Sequence, residues 1–373
     1  MNLNRSLLLA LLVLCFAEAA IALPPEAQGK VTTSDPSKPL PPSAPVSEEG
    51  FNPFDSLAST KNTFNQVEGS MVQMAIPSLL SLAERGEFHI LEELFKEWKS
   101  PSQRLLDGRR KLPALLNWSQ QVYTPRTRSD QYQMIQKWKA AYPKSALAAL
   151  TEASYWHQRA WDARGYGYAD TVSKEGWKLF RDRLAQAEKI LKDTRAYSGN
   201  NALWYDLYLT LARDQEWAPD KLSALFNEAI GNDPAYLDHY FGMTVQLLPK
   251  WGGSLELVDK FISWSTERVE PMDRQSLYTR LYWAVSQHHP NTSNLFEETP
   301  ASWKKMKAGF DNLLTQYPKS RWNLNAYASF ACMAGDRETF ITLWNKIGKQ
   351  PNRDAWHYAW PPELCVRRFF EKS

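Results

Sequence analysis

From Met71 onward, apolar residues return every three or four positions, and no convincing run of strict alternation interrupts them. Leu222, Leu225, Phe226, Ala229 and Ile230 fall at i, i+3, i+4, i+7 and i+8, a single stripe on one helical face. Leu203, Leu207 and Leu211 run beside Trp204, Tyr208 and Ala212, a double row wide enough to meet helices on two sides. Leu255, Val258, Phe261 and Ile262 repeat the theme, as do Leu277, Leu281 and Val285, and Phe340, Leu343, Trp344 and Ile347. Upstream, Leu79, Leu82 and Ala83 lead to Gly86, and Phe88, Leu91, Leu94 and Phe95 follow on a second helix. The looser stretch from Ser100 to Thr127 reads as loop plus one short helix. The pattern predicts an all-α fold.

The helices are punctuated at recurrent places. Tyr142-Pro143-Lys144-Ser145 returns as Tyr317-Pro318-Lys319-Ser320, and Ala153-Ser154-Tyr155 answers Ala328-Ser329-Phe330 at the same offset. Ile135, Phe226 and Phe310 each lie eight residues before a proline, Pro143, Pro234 and Pro318. A large anchor followed by a proline marks the end of a second helix, because proline cannot continue it. Ser145 and Ser320 can then cap the next helix, and Asp233 is expected to cap one with Pro234 at its first position. First helices are expected near Ser145, Asn200, Asp233, Asp273 and Ser320, spaced unevenly by 33 to 55 residues. Supersecondary units repeated in this way point to an irregular α-solenoid of helical hairpins. An insert from Ala163 to Lys174 interrupts the first unit, and inserts in repeat proteins tend to gather on one face.

Composition adds a targeting signal and a tether. Arg5, the apolar run Leu7 to Phe16 and Ala20-Ile21-Ala22 have the order of a signal peptide over residues 1–22. Leu14, where lipid processing needs a small residue, argues against lipidation of Cys15. Residues 23–62, with eight prolines between Leu23 and Asp55, are expected to be a disordered linker. An N-terminal helical module is placed at 63–128 and the repeat domain at 129–373. No other stretch approaches the ~18–20 apolar residues of a membrane helix. The expected location is periplasmic or secreted. There Cys332 and Cys365, the two cysteines left in the mature chain, would form a disulfide.

A net charge of +3 over 373 residues gives no reason to expect a nucleic-acid partner. Arg109-Arg110-Lys111 and Lys304, Lys305 and Lys307 read as solvated helix faces, and the 16 Trp as packing between helices. The six His show no H-x-x-x-H or H-E-x-x-H spacing, and no P-loop or G-x-S-x-G elbow is present. No catalytic residues, no cofactor and no metal are therefore expected.

The hairpins resemble tetratricopeptide repeats, with Trp156 and Tyr240 where that motif has its large first-helix aromatics. The mature chain also resembles an uncharacterised bacterial family of helical proteins known only as a domain of unknown function. That resemblance rests on Leu82–Phe88, Asp107–Pro113, Trp161–Gly165 and Leu248–Ser254, the last being the most specific. It implies a helical-repeat protein and carries no activity with it. In the tetratricopeptide register Ser154, His157, Asp238 and Asn325 would face a concave groove and meet a protein or peptide partner. Trp161, Arg164, Tyr166 and Tyr168, at and beside the insert, are the other binding candidates. Trp161, Tyr166, Tyr168 and Trp251 would serve an alternative, glycan-binding role by stacking on sugar rings.

Overall fold

The computed structural model describes residues 53–117, 125–165, 167, 169–270, 273–289, 292–348 and 350–371. The expected signal peptide, Cys15, the linker up to residue 52, Tyr166 and Tyr168 lie outside the described residues. Among those described the fold is all-α, without a strand, and a lone antiparallel bridge joins Arg104 to Arg110.

Five helices come first: α1 (Pro53–Gln66), α2 (Met71–Glu84), α3 (Phe88–Trp98), the single turn α4 (Ala114–Asn117) and α5 (Pro125–Ala141). Helix α1 takes up the last part of the expected linker. It does so because Phe64 is fully buried against Trp98, with ring centres 4.8 Å apart, and Leu57 packs beside the same core. Helices then follow in packed pairs. The first two pairs are α6 (Ala146–Arg164) with α7 (Lys174–Ser198), and α8 (Ala202–Asp214) with α9 (Pro219–Asn232). Next, α10 (Leu237–Gln246) packs on α11 (Leu255–Thr266). The single-turn α13 (Leu295–Glu298) lies between α12 (Arg274–His288) and its partner α14 (Trp303–Gln316). Finally α15 (Arg321–Met333) pairs with α16 (Arg337–Ile347), and α17 (Pro362–Phe370) packs back on α15.

The two Tyr-Pro-Lys-Ser copies are helix junctions. Ser145 Oγ accepts the N–H of Ala148 at 2.9 Å, and Ser320 Oγ that of Asn323 at 3.0 Å. Asn201 caps α8 in the same way, accepting from Trp204 at 3.2 Å. The middle junction differs from expectation. α9 ends at Asn232 and α10 starts at Leu237, so Pro234 lies in the turn between them. Asp233 Oδ1 serves that turn by accepting the N–H of Ala235 at 3.2 Å, while Oδ2 pairs with Arg110, and the residue lies too far before Leu237 to cap α10. The long first interval arises mainly from helix length, since α6 has 19 residues and α7 has 25.

Burial separates the pairs into two rows. Helices α6, α8, α12 and α15 are buried almost all round, whereas α9, α11, α14 and α16 bury one stripe each. With α10 between them, α6, α8 and α12 touch in succession, α6 on α8, α8 on α10, and α10 on α12. One core runs from Phe64 to Tyr236 and a second from Phe226 to Cys365, with Leu209 and Met243 packed against both. No division of the core falls at residue 128. The expected disulfide is present, joining Cys332 on α15 to Cys365 on α17. Closing that loop is worth about 3–4 kcal/mol in the chain-entropy model.

Two glycines let the N-terminal loops approach the far end of the chain. At Gly69, with φ +53°, a Cβ would lie 1.9 Å from the Trp322 ring, and at Gly108, with φ +88°, 2.3 Å from the Tyr317 ring. Left-handed backbone costs a non-glycine residue about 1–3 kcal/mol before any clash is counted. Gly69→Ala and Gly108→Ala should each lower the unfolding free energy by at least that amount in urea titrations. Gly231→Ala, where a Cβ meets nothing within 4 Å, serves as the control and should not destabilise. A Gly108→Ala midpoint equal to that of the parent would contradict the close packing.

Candidate functional site

The central helices turn one side to their partners and the other to two loops of the N-terminal region, 67–70 and 103–111. Asp107 anchors this contact and has no exposed surface. Its Oδ2 accepts from Gly69 N at 2.8 Å and from Arg109 Nε at 3.0 Å, and Oδ1 from Arg109 N at 2.9 Å. Its backbone carbonyl accepts from Arg280 Nη2 on α12 and from Asn323 Nδ2 on α15 at 3.1 Å. Burial alone would raise the Asp107 pKa, but Arg109, then Arg280 and the Gly69 N–H, outweigh it and hold the carboxyl below its usual range. Glu68, 5% exposed, answers the start of α15: it accepts from Ser320 Oγ at 2.6 Å, Arg321 N at 3.0 Å and Trp322 N at 3.1 Å. A carboxylate in that position also meets the positive end of the helix.

Arg109-Arg110-Lys111 is therefore no solvated helix face. It lies in a loop whose side chains brace the interior. Arg110 Nη1 lies 3.2 Å from Asp233 Oδ2, Nη2 donates to Lys99 O at 2.7 Å, and the guanidinium sits 5.7 Å from the Tyr236 ring centre. Lys111 donates to Gln103 Oε1 at 3.0 Å. Lys304 and Lys305 on α14 are exposed, as expected of a helix surface.

Most of the sequence-selected binding residues lie inside the protein. Ser154 and Asn325 have no exposed surface and Trp161 has 1%. Buried His157 places Nε2 2.7 Å from Asp214 Oδ2, and Trp161 Nε1 donates to the same oxygen at 2.8 Å, which knits α6 to α8. Asn325 Oδ1 accepts from Asn352 N and Trp356 Nε1, both at 3.0 Å, and fastens the C-terminal segment to α15. Arg164 lies over the Trp161 and Trp177 rings, at 5.1 and 4.9 Å, and donates to the carbonyls of Gly165 and Gly167. It pins the insert to the body. The expectation that Ser154, His157, Trp161 and Asn325 line an open groove is corrected, because they are buried against neighbouring segments. Trp251 is partly buried, with Lys250 Nζ 5.5 Å from its ring centre.

Asp238 is the exception. With Asp206 on α8 and Gln246 on α10 it lines a half-open recess whose free volume is about 30 Å³. Among the described residues neither carboxylate makes an ion pair or hydrogen bond with another residue's side chain. Burial pushes the Asp206 pKa up to about 8, repulsion from Asp238 adds to this, and Arg213 opposes it. Asp238 is raised as well, first by burial, although Arg109, Arg110 and Arg280 pull it down. His239, 1% exposed, lines the same recess. Its Nε2 lies 3.1 Å from Ala202 O, and burial lowers its pKa to about 4, so the ring is neutral, Nε2 carries the proton and Nδ1 is an acceptor. Nδ1 of His239 and Oε1 of Gln246 have no hydrogen-bond partner among the described residues. The recess thus gathers acceptors and can exchange a proton near neutral pH. Asp206 was not selected from the sequence, although an acid inside the apolar run Leu203 to Leu211 was a signal for it.

Residues 75–197 match the family model of a domain of unknown function (DUF4034). Three of the four segments that carried the resemblance fall within that match, and Leu248–Ser254 lies beyond it. No curated protein and no solved structure matches the chain.

The folded chain keeps the Asp206 proton to about pH 8, whereas the unfolded chain releases it near 3.8. Between those values the folded state binds more protons, so this group's contribution to stability falls as pH rises. Asp206→Asn removes the effect. The variant's melting temperature minus the parent's should be near zero at pH 4.5 and clearly positive at pH 8.5. His239 and His288, both lowered to about 4 by burial, act in both proteins and largely cancel in the difference. A difference that is flat or negative at pH 8.5 would contradict the assignment.

Proposed function

We propose that the chain is an exported, non-catalytic, tetratricopeptide-like scaffold that binds a protein or peptide partner at the recess between α8 and α10. The observation carrying this reading is a pair of carboxylates on successive central helices that the chain itself leaves unpaired. Asp107, Glu68 and Asp233, by contrast, are answered internally. A buried or half-buried charge without a partner costs stability, and such costs gather where a second molecule completes the pairing. The glycan-binding alternative loses support because Trp161 is too buried to stack on a sugar.

A photo-crosslinking residue placed at Thr210, beside the recess, tests the reading in cells. A discrete crosslinked polypeptide that disappears when Asp238→Lys is added is the expected result. No crosslink from Thr210, or one indifferent to Asp238→Lys, would contradict it.

A further inference from the structure

We propose that the recess between α8 and α10 is a binding site for a primary ammonium group, presented as a lysine side chain by the partner polypeptide. The inference rests on the scaffold reading above and names the chemistry its site recognises. Four acceptor groups converge there: the Asp206 and Asp238 carboxylates, Gln246 Oε1 and His239 Nδ1. The last two are unpartnered, and His239 is 1% exposed, so the recess carries acceptor capacity that the fold does not use. An ammonium offers three N–H donors and no acceptor, the complement of that set. The recess is half open and has room for a small head group. A guanidinium is planar and holds its five N–H donors in a rigid fork, a poorer match to separate single acceptors than the rotating donors of an ammonium. The apolar stem of lysine finds Leu209, Leu222 and Met243 along the walls.

Fixed cations nearby are committed elsewhere. Arg213 lines the recess with its Nε 3.3 Å from Asp214 Oδ1. Arg109 is bound to Asp107 and to Gly69 O, Arg110 to Asp233 and Lys99 O, and Arg280 to the Asp107 carbonyl. They moderate the field at Asp238 without hydrogen-bonding it, and Tyr236 faces the same charges from the start of α10. With Asp206 holding its proton at neutral pH, docking of an ammonium ejects that proton to solvent, and both carboxylates then face the cation.

Met243 lines the recess and is one of only eight methionines, so its labelled methyl group gives a resolved NMR reporter in the full chain. Four probes are titrated: the capped peptide Gly-Gly-Lys-Gly-Gly, its Nε-acetyl form, its arginine counterpart, and cadaverine. The lysine peptide should shift the Met243 signal saturably, with at least tenfold weaker binding for the acetylated and arginine forms. Cadaverine should bind no more tightly than the peptide. Asp206→Asn/Asp238→Asn, whose folding is checked by its melting curve, should abolish the saturable shift. The number of protons released at pH 7, read by calorimetry in two buffers, should fall to zero in that variant. Equal binding of the acetylated or arginine peptide, or a shift that survives the double substitution, would overturn the proposal. Tighter binding of cadaverine than of peptide would overturn the polypeptide source. A Thr210 crosslink that persists while the lysine peptide fails would leave the scaffold reading standing and remove this one.

Discussion

A carboxylate with no exposed surface persists only when its oxygens are answered, and Asp107 meets that condition by drawing distant parts of the chain onto one loop. Its side chain takes the N–H of Gly69 and the guanidinium of Arg109, while its carbonyl holds Arg280 and Asn323. The partners thus come from the N-terminal region, α12 and α15. Glu68 repeats the device one step away by capping α15 across 252 residues of sequence. The pairs of helices are therefore not an open row. Their last member is tied back to the first module through buried charge, and Gly69 and Gly108 supply the clearance.

Internal packing decides what remains available for function. Ser154, His157 and Asn325 sit at positions that an open array would offer to a ligand, yet they are buried, His157 against Asp214 of α8 and Asn325 against the C-terminal segment. The acidic recess of Asp206 and Asp238 escapes because loop 103–111 sends its arginines to Asp107 and Asp233 and leaves those two carboxylates unpaired. Two carboxylates raised by burial, Asp206 further by the charge of Asp238, cost stability in the free protein. The reading as a site explains why such an arrangement is retained.

Features set by near neighbours in sequence were legible before the structure. Ser145 and Ser320 cap their helices through bonds to residues three positions on, and i, i+3, i+4 spacing located the helices themselves. The Cys332–Cys365 bridge followed from pairing arithmetic. Features set by distant partners were not legible. Arg110 looks like a surface cation until Asp233, 123 residues away, is placed beside it. Pro234 matched a helix start by residue type, but the chain turns there and α10 begins only at Leu237. Asp238 was legible from the repeat register, whereas Asp206 was hidden by the attention that its apolar neighbours draw. The insert was expected to present binding residues, and Arg164 shows its near end stacked on Trp161 and Trp177 instead.

The central claim is that Asp107, through its carboxylate to Gly69 and Arg109 and its carbonyl to Arg280 and Asn323, couples the N-terminal loops to α12 and α15. Amide hydrogen exchange on Asp107→Ala tests it most directly, because removing the carboxylate leaves the buried Gly69 N–H without its acceptor and frees the loop that carries the carbonyl, at a cost of about 1–3 kcal/mol. The account predicts faster exchange at 67–70, at 103–111 and in the first turn of α15 together, while α7 and α9 keep their protection. Faster exchange confined to 103–111, with 67–70 and the start of α15 unchanged, would contradict it.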